Sequence, residues 1–275
     1  MNIKDFEHQV AGHARTLFVL EPATFSGLDH HHHQHHRQCK SILAKPVPGP
    51  ESIEVQFYTK LSLCPSLAAF APSFLGVREC TLPGRATRDW CVLMENVVDS
   101  LANPSIVDVK IGTRLYGRDA SEAKRMRMEE QARVTTSGEM GLRICGMKLF
   151  NPISETYTIH GKEFGRSLTP STLGSGFKEF FQHIRNSSLR QTILSEFICK
   201  TQELISVLKQ AECRIYAASI LLAFDAQGHT IVKLIDFAHS HFCPGEGHDE
   251  SAIFGLETLI RILEKIQLEN AMDIY

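Results

Sequence analysis

Pro104-Ser105-Ile106-Val107-Asp108-Val109-Lys110-Ile111-Gly112 is the stretch on which the reading of this chain turns. Its alternation of apolar residues argues for a strand. In a strand, Val107, Val109 and Ile111 fall on one face and Ile106, Asp108 and Lys110 on the other. The carboxylate and the ammonium group then point the same way, roughly 6.5–7 Å apart along the chain. Two explanations fit that geometry: an acid–base pair at a sheet edge, or two members of a site.

A second stretch, Ile231-Val232-Lys233-Leu234-Ile235-Asp236-Phe237-Ala238-His239, reads as an apolar strand ending in a carboxylate, followed by a turn and a histidine. A metal–phosphate ligand is often presented in this way, as by the Asp-Phe-Gly sequence of protein kinases. Here alanine stands in the third place, and the sequence has no His-Arg-Asp catalytic loop, no Walker A motif and no GxGxxG loop. The standard protein-kinase and P-loop readings therefore fail.

Between these strands the spacing predicts a basic helix over 119–133, with Lys124, Arg127 and Gln131 on one face at i, i+3, i+7 and Arg125 nearby. Such a face is either solvated or a phosphate-binding wall, since cations grouped on one rigid element suit a polyanion. Two long apolar stripes, Phe197 to Leu208 and Ile253 to Ile266, predict core helices, the second capped by Ser251 or Asp249. The Gly174-Ser175-Gly176 stretch reads as a turn or helix boundary rather than a phosphate loop. His239, His241, Cys243, His248, Asp249 and Glu250 lack the spacing of a zinc site.

The first hundred residues are shorter strand-like pieces. Runs at 15–20 and 41–45 flank a histidine-rich segment, about 26–40, and predict a β-hairpin with a long, mobile loop. Ile53, Phe57 and Leu61 predict a helix after Pro50, and Cys91 to Val97 a buried strand. The polar connector 99–103 suggests two lobes, 1–97 and 98–275.

Composition sets the outer limits. The chain has 275 residues, 29 Lys+Arg against 31 Asp+Glu and a formal charge of −2, which argues against a polybasic nucleic-acid binder and against an acidic disordered chain. Eight cysteines occur without a CxxC pair, mostly in apolar runs, as expected of reduced, buried thiols. No apolar run approaches the ~20 residues of a membrane span, and no signal-peptide core opens the N-terminus. An intracellular, soluble protein is expected.

Taken together, these segments resemble the inositol polyphosphate kinase family. The family's P-x-x-x-D-x-K-x-G signature is matched by Pro104, Asp108, Lys110 and Gly112, and its I-D-F-A-H element by Ile235 to His239. Its S-S-L-L element is matched imperfectly by Ala218-Ser219-Ile220-Leu221, and its H-Q-V-A-G-H element by His8 to His13. Thr135-Thr136-Ser137-Gly138, Arg143-Ile144-Cys145-Gly146-Met147-Lys148 and Gly165-Arg166-Ser167 are similar to the multikinase branch, especially its fungal members, while Asp119-Ala120-Ser121 and the basic helix are also similar to the hexakisphosphate kinases.

The resemblance implies an α/β, two-lobed, protein-kinase-like fold with a small β-rich N-lobe and a larger mixed C-lobe. It implies ATP and Mg²⁺ (or Mn²⁺) as cofactors, and inositol trisphosphate and tetrakisphosphate as substrates whose hydroxyls are phosphorylated. By the same resemblance, Lys45 contacts the ATP phosphates with Glu54 as its partner, Glu95 and Val97 lie at the adenine hinge, and Asp108 binds the ribose. Lys110 reaches the transferring phosphate and the substrate, Asp236 holds the metal, and Lys124, Arg127, Gln131 and His239 contact the inositol phosphate. The alternatives are a hexakisphosphate kinase making pyrophosphates and, from another class, a non-catalytic nuclear scaffold. Residence in the nucleus or cytoplasm, nuclear protein partners and no direct binding of nucleic acid complete the expectation.

Overall fold

Two antiparallel sheets carry the chain, and the computed structural model describes residues 3–10, 17–20 and 41–272. The first sheet is built from β1 (Ile3–Asp5), β2 (Phe18–Leu20) and β3 (Ile42–Pro46), then, after helices α1 (Ile53–Leu61) and α2 (Pro65–Ala68), from β4 (Phe74–Thr81) and β5 (Arg88–Glu95). Its order is β1-β2-β3-β5-β4. The expected hairpin partners do pair, Phe18 opposite Ala44 and Leu20 opposite Ile42. The histidine-rich connection between them lies outside the described residues, as do Ala11, Gly12 and His13 of the N-terminal motif.

Helix α1 begins where expected, after Pro50, with Ser52 as its N-cap. Its inward face is rotated from the anticipated stripe: Ile53 is 36% exposed, while Glu54, Phe57, Tyr58 and Leu61 are buried. The cause is aromatic packing. Phe57 stacks on Phe242 with centroids 5.0 Å apart and lies 4.7 Å from Phe237, which also meets the edge of Tyr58 at 5.2 Å. Ring pairs of this kind are worth ~0.5–1.5 kcal/mol beyond their buried area. They fix α1 against the segment that follows Asp236 and turn Glu54 inward.

The remainder runs β6 (Ser105–Ile111), α3 (Glu122–Arg133), α4 (Thr136–Met140), β7 (Leu142–Asn151), β8 (Thr156–His160), α5 (Lys162–Ser167), α6 (Leu173–Phe180), α7 (Ser187–Gln210), β9 (Cys213–Ile215), β10 (Ser219–Phe224), β11 (Thr230–Ile235), β12 (Ser240–Phe242) and α8 (Glu250–Met272). The second sheet has the order β11-β10-β6-β7-β8, and β12 pairs with β9. Both apolar stripes face the core as expected, with Phe197, Leu204, Leu256 and Leu263 fully buried. Each such side chain contributes ~1.5–3 kcal/mol. Asp249 is the cap of α8: its Oδ1 accepts from Ala252 N–H at 3.0 Å, while Ser251 Oγ instead accepts from Thr113 N–H at 2.7 Å. Gly174, Ser175 and Gly176 lie in the first half of α6, at a helix boundary.

The glycine closing the first motif has a definite task. Gly112 has φ +90 and donates its N–H to Gly141 O at 2.7 Å, while a Cβ on Gly255 of α8 would lie 2.1 Å from that same carbonyl oxygen. Backbone-to-backbone approach at this point requires residues without side chains. It clamps α8 against the ends of β6 and β7, leaving the polar face of β6 open on the other side.

No helix among the described residues is long and apolar enough to cross a membrane.

Candidate active site

Strand β6 is the middle of its sheet, between β10 and β7, so the edge-pair explanation of Asp108 and Lys110 is wrong. Lys110 sits opposite Ser219 on one side and Arg143 on the other. A register shift between Asp108 and Val109 interrupts the ladder with β7 beside them, an irregularity that strands use to re-aim side chains. Lys110 Nζ donates to the carbonyl of Ala217, a residue held at φ 56. Asp108 is deeply set: burial raises its pKa, partly offset by Lys110 and Ser219. Its Oδ1 has no hydrogen-bond partner among the described residues.

The second motif behaves as a strand with an abrupt end. β11 stops at Ile235, and Asp236 takes φ 67, left-handed backbone that costs a non-glycine residue free energy and clusters at functional sites. The turn aims its carboxylate, 45% exposed, back across the molecule, where Oδ1 accepts from Lys45 Nζ at 2.6 Å. Lys45 also donates to Glu54 Oε1 at 2.7 Å, and that oxygen accepts from Phe237 N–H at 3.1 Å. A strand of the first sheet, helix α1 and the end of β11 are thereby tied into one network. Burial alone would lower the Lys45 pKa, but the Glu54 and Asp236 carboxylates outweigh it and raise it. Burial pushes Asp236 up, yet Lys45 and Lys110 together hold it below the ordinary carboxylate value. Glu54 is raised, chiefly by burial.

Two cavities meet at these carboxylates. The first, about 160 Å³, is an apolar slot between the sheets. Leu43, Met94, Val97, Ile106, Leu221 and Ile235 are among its walls, and Lys45, Glu54, Asp108 and Asp236 stand on its polar side. Glu95 lines it as well, but its backbone N–H is taken by Ser73 O at 3.0 Å and its carboxylate by the Ser73 hydroxyl at 2.8 Å. The second cavity, about 360 Å³, is a basic bowl lined by Lys110, Lys124, Arg143, Lys162, Arg166 and His239, again with Asp108 and Asp236.

Helix α3 supplies one wall of the bowl. Lys124, Met128 and Gln131 line it, at i, i+4, i+7, while Arg127 is exposed and does not. Two of the three expected positions, Lys124 and Gln131, are thus in place, and Met128 stands where Arg127 was expected. Arg125 faces solvent and pairs with Glu122 at 2.7 Å, so the solvated reading holds for the helix's outer side. Lys124 Nζ lies 3.2 Å from His239 Nε2. An ammonium can only donate, which assigns Nε2 as acceptor and the ring proton to Nδ1. Burial, then Lys124, lowers the His239 pKa, so the ring is neutral at pH 7.

Three cations of the bowl were not assigned a place from the sequence. Arg143 is 7% exposed and its Nη1 has no partner among the described residues, an arrangement that asks for an anion. Its place follows from the β6–β7 pairing, which no local pattern reveals. Lys162 and Arg166 come from α5, which lies directly on β7; a Cβ on Gly165 would be 1.7 Å from Ile144 O. Their i, i+4 spacing was the available signal. Among the described residues, no cluster of three His, Cys, Asp or Glu side chains is arranged to hold a metal, and the seven described cysteines are free.

For a divalent cation the donor set is therefore thin: one half-exposed carboxylate, Asp236, with Asp108 beyond it. That is the pattern expected where a hard cation is completed by phosphate oxygens and water rather than by a protein cage. An apolar slot, a basic bowl and carboxylates on their shared wall suit transfer of a phosphoryl group from a planar, phosphate-bearing ligand to a polyanion.

Comparison with known proteins agrees. Residues 91–264 match the family model described as inositol polyphosphate kinase. The mouse inositol hexakisphosphate kinase 3 is 33% identical over 216 residues, covering 69% of this chain and 54% of that protein. The inositol polyphosphate multikinase of Saccharomyces cerevisiae is 28% identical over 240 residues, covering 63% of this chain and 68% of that one. The chain thus spans about half the length of the hexakisphosphate kinases it matches. Among solved structures, the S. cerevisiae inositol phosphate multikinase in complex with ADP and Mn²⁺ superposes with a TM-score of 0.71 at 28% identity, covering 82% of this chain and 98% of that chain.

Proposed function

The chain belongs to the inositol polyphosphate kinase family, and from that premise we propose that it is an ATP-dependent inositol polyphosphate multikinase. It transfers the γ-phosphoryl group to free hydroxyls of inositol trisphosphate and tetrakisphosphate. One observation carries the reading: an apolar slot and a cation-lined bowl share Asp108 and Asp236 as a common wall. The relative solved with ADP and Mn²⁺ supports nucleotide and divalent-metal use.

The chemistry follows from positioning and charge neutralisation. The slot would receive adenine near Glu95 and Val97, and Asp108, whose Oδ1 has no partner among the described residues, would accept from the ribose hydroxyls. Lys45, held by Glu54, reaches the nucleotide phosphates. Mg²⁺ or Mn²⁺, when bound at Asp236, neutralises charge on the phosphate oxygens. Lys110 lies where donor and acceptor meet and stabilises the transferring group, while Lys124, Arg143 and His239 orient the inositol phosphate. Where these groups are buried, as Arg143 is, their contacts are stronger than they would be in water.

The lobe boundary at 97/98, residence in the nucleus or cytoplasm and nuclear protein partners belong to this same proposal. The hexakisphosphate kinase reading keeps a specific support, the 33% identity to the mouse enzyme. Purified protein, ATP and a panel from inositol trisphosphate to hexakisphosphate, resolved by product chromatography, decide between them. The multikinase reading expects turnover of the trisphosphate and tetrakisphosphate; pyrophosphate made from hexakisphosphate alone overturns it.

A further inference from the structure

Two family-like segments have no part in the transfer as described, the N-terminal Glu7-His8-Gln9-Val10 and the Gly146-Met147-Lys148 end of the β7 motif. The structure lays them against each other. After β1, Phe6 donates its N–H to Leu17 O at 3.1 Å, and the chain then leaves the first sheet and crosses onto the second. There Lys148 Nζ donates to the Glu7 carbonyl at 2.8 Å and lies 3.3 Å from His8 Nδ1. Gly146 faces Val10 so closely that a Cβ would sit 1.8 Å from the Val10 carbonyl oxygen.

Lys148 is 8% exposed, with its ammonium 4.2 Å from the centroid of the Tyr157 ring. A buried ammonium is costly unless its protons are satisfied. This one is satisfied by a backbone carbonyl, an imidazole and a ring face, so the crossing segment is what makes its burial tolerable. The same segment is part of the slot: Phe6, His8, Gln9 and Val10 line it. Phe6 and Val10 also pack on Val97, Val98, Ile106 and Leu221. Residues 6–10 thus link the two sheets, in addition to the 96–104 connection and the Lys45–Glu54–Asp236 network.

We infer that Lys148 is a positioning residue for the nucleotide: without lining the slot, it holds residues 6–10 in place as the wall against which the nucleotide binds. The inference rests on the nucleotide reading above and deepens it. Lys148→Met keeps the length and apolar body of the side chain but removes the donor. It is expected to weaken nucleotide binding about tenfold, the size of one charge-assisted hydrogen bond. By isothermal titration with ADP and Mn²⁺ the Kd rises, and in steady state the nucleotide KM rises with kcat and the inositol phosphate KM within about twofold, since uniform binding alone is lost.

Hydrogen exchange gives an independent readout on the wild-type chain: backbone amides of 6–10 gain protection when ADP and Mn²⁺ are added, and lose it in Lys148→Met. An unchanged nucleotide Kd in a folded Lys148→Met protein overturns the inference. Should that variant not fold, absence of nucleotide-dependent protection over 6–10 in the wild type overturns it equally. Failure of the wild type to bind ADP and Mn²⁺ at all is a different result, which removes the nucleotide reading itself.

Discussion

The slot and the bowl share two carboxylates and differ in almost everything else. The slot is walled by Leu43, Met94, Ile106 and Leu221, on strands whose apolar residues are satisfied by packing whether or not a ligand is present. The bowl gathers Lys110, Lys124, Arg143, Lys162 and Arg166, like charges brought together at electrostatic cost. An apolar wall needs no ligand to be stable; a cluster of cations is built against its own repulsion and is stabilised when an anion arrives. Recognition in the slot is therefore a matter of shape, and in the bowl a matter of charge.

The largest effect comes from breaking what the two have in common. Asp236→Asn keeps a side chain that tolerates the φ of 67 and removes the charge that both cavities see. Turnover is expected to fall by about 10³-fold or more, since metal and phosphate positioning is nearly all of the catalysis in phosphoryl transfer. Near-wild-type activity of the purified, folded variant would refute the assignment.

Next come substitutions that separate the two sites. Arg143→Met removes a buried cation from the bowl and should raise the inositol phosphate KM by about 10–100-fold, the range for a hydrogen bond to a charged group, leaving the nucleotide KM near its original value. Leu221→Trp fills the slot and should do the reverse. If both variants shift both constants equally, the comparison fails.

Acidity probes both sides at smaller amplitude. Burial lowers His8 at the slot and His239 at the bowl below the ordinary value of 6.5, and His241, two residues after His239, likewise. The unfolded chain then binds more protons than the folded one just below pH 6.5, so the stability these rings contribute is present above that pH and lost as it falls. A Tm that declines on acidification below pH 6.5, measured in thermal melts, is the expected outcome; a flat profile there would contradict it.

Smallest of all is Arg127→Ala. Its side chain is exposed and outside the bowl lining, so the inositol phosphate KM should stay within about twofold, as for most surface contacts. A tenfold rise would mean that the face predicted from spacing was the right one.

That helix shows where pattern reading stops. Spacing put Lys124, Arg127 and Gln131 together, but i+3 and i+4 neighbours diverge to opposite sides of i, and only the seat of α3 against the rest of the fold chose Met128 over Arg127. β6, β11, α1, α7 and α8 were legible because apolar periodicity is local. Glu54's burial followed from rings at Phe237 and Phe242 that rotate α1, which the stripe through Ile53 did not show. The left-handed turn at Asp236 and the break in the ladder beside Asp108 left no mark in the sequence either.

By itself the sequence determined the chemical inventory and the side-chain directions within each element. Asp108 and Lys110 share a face because a strand has a period of two, and Asp236 ends a strand because the apolar run ends there. Only the tertiary structure decided what those groups meet. Lys45 and Asp236 are 191 residues apart in the chain and 2.6 Å apart in space. Lys110 stands beside Arg143 because two particular strands pair. Such encounters are set by packing summed over the whole chain, and no single segment carries that information.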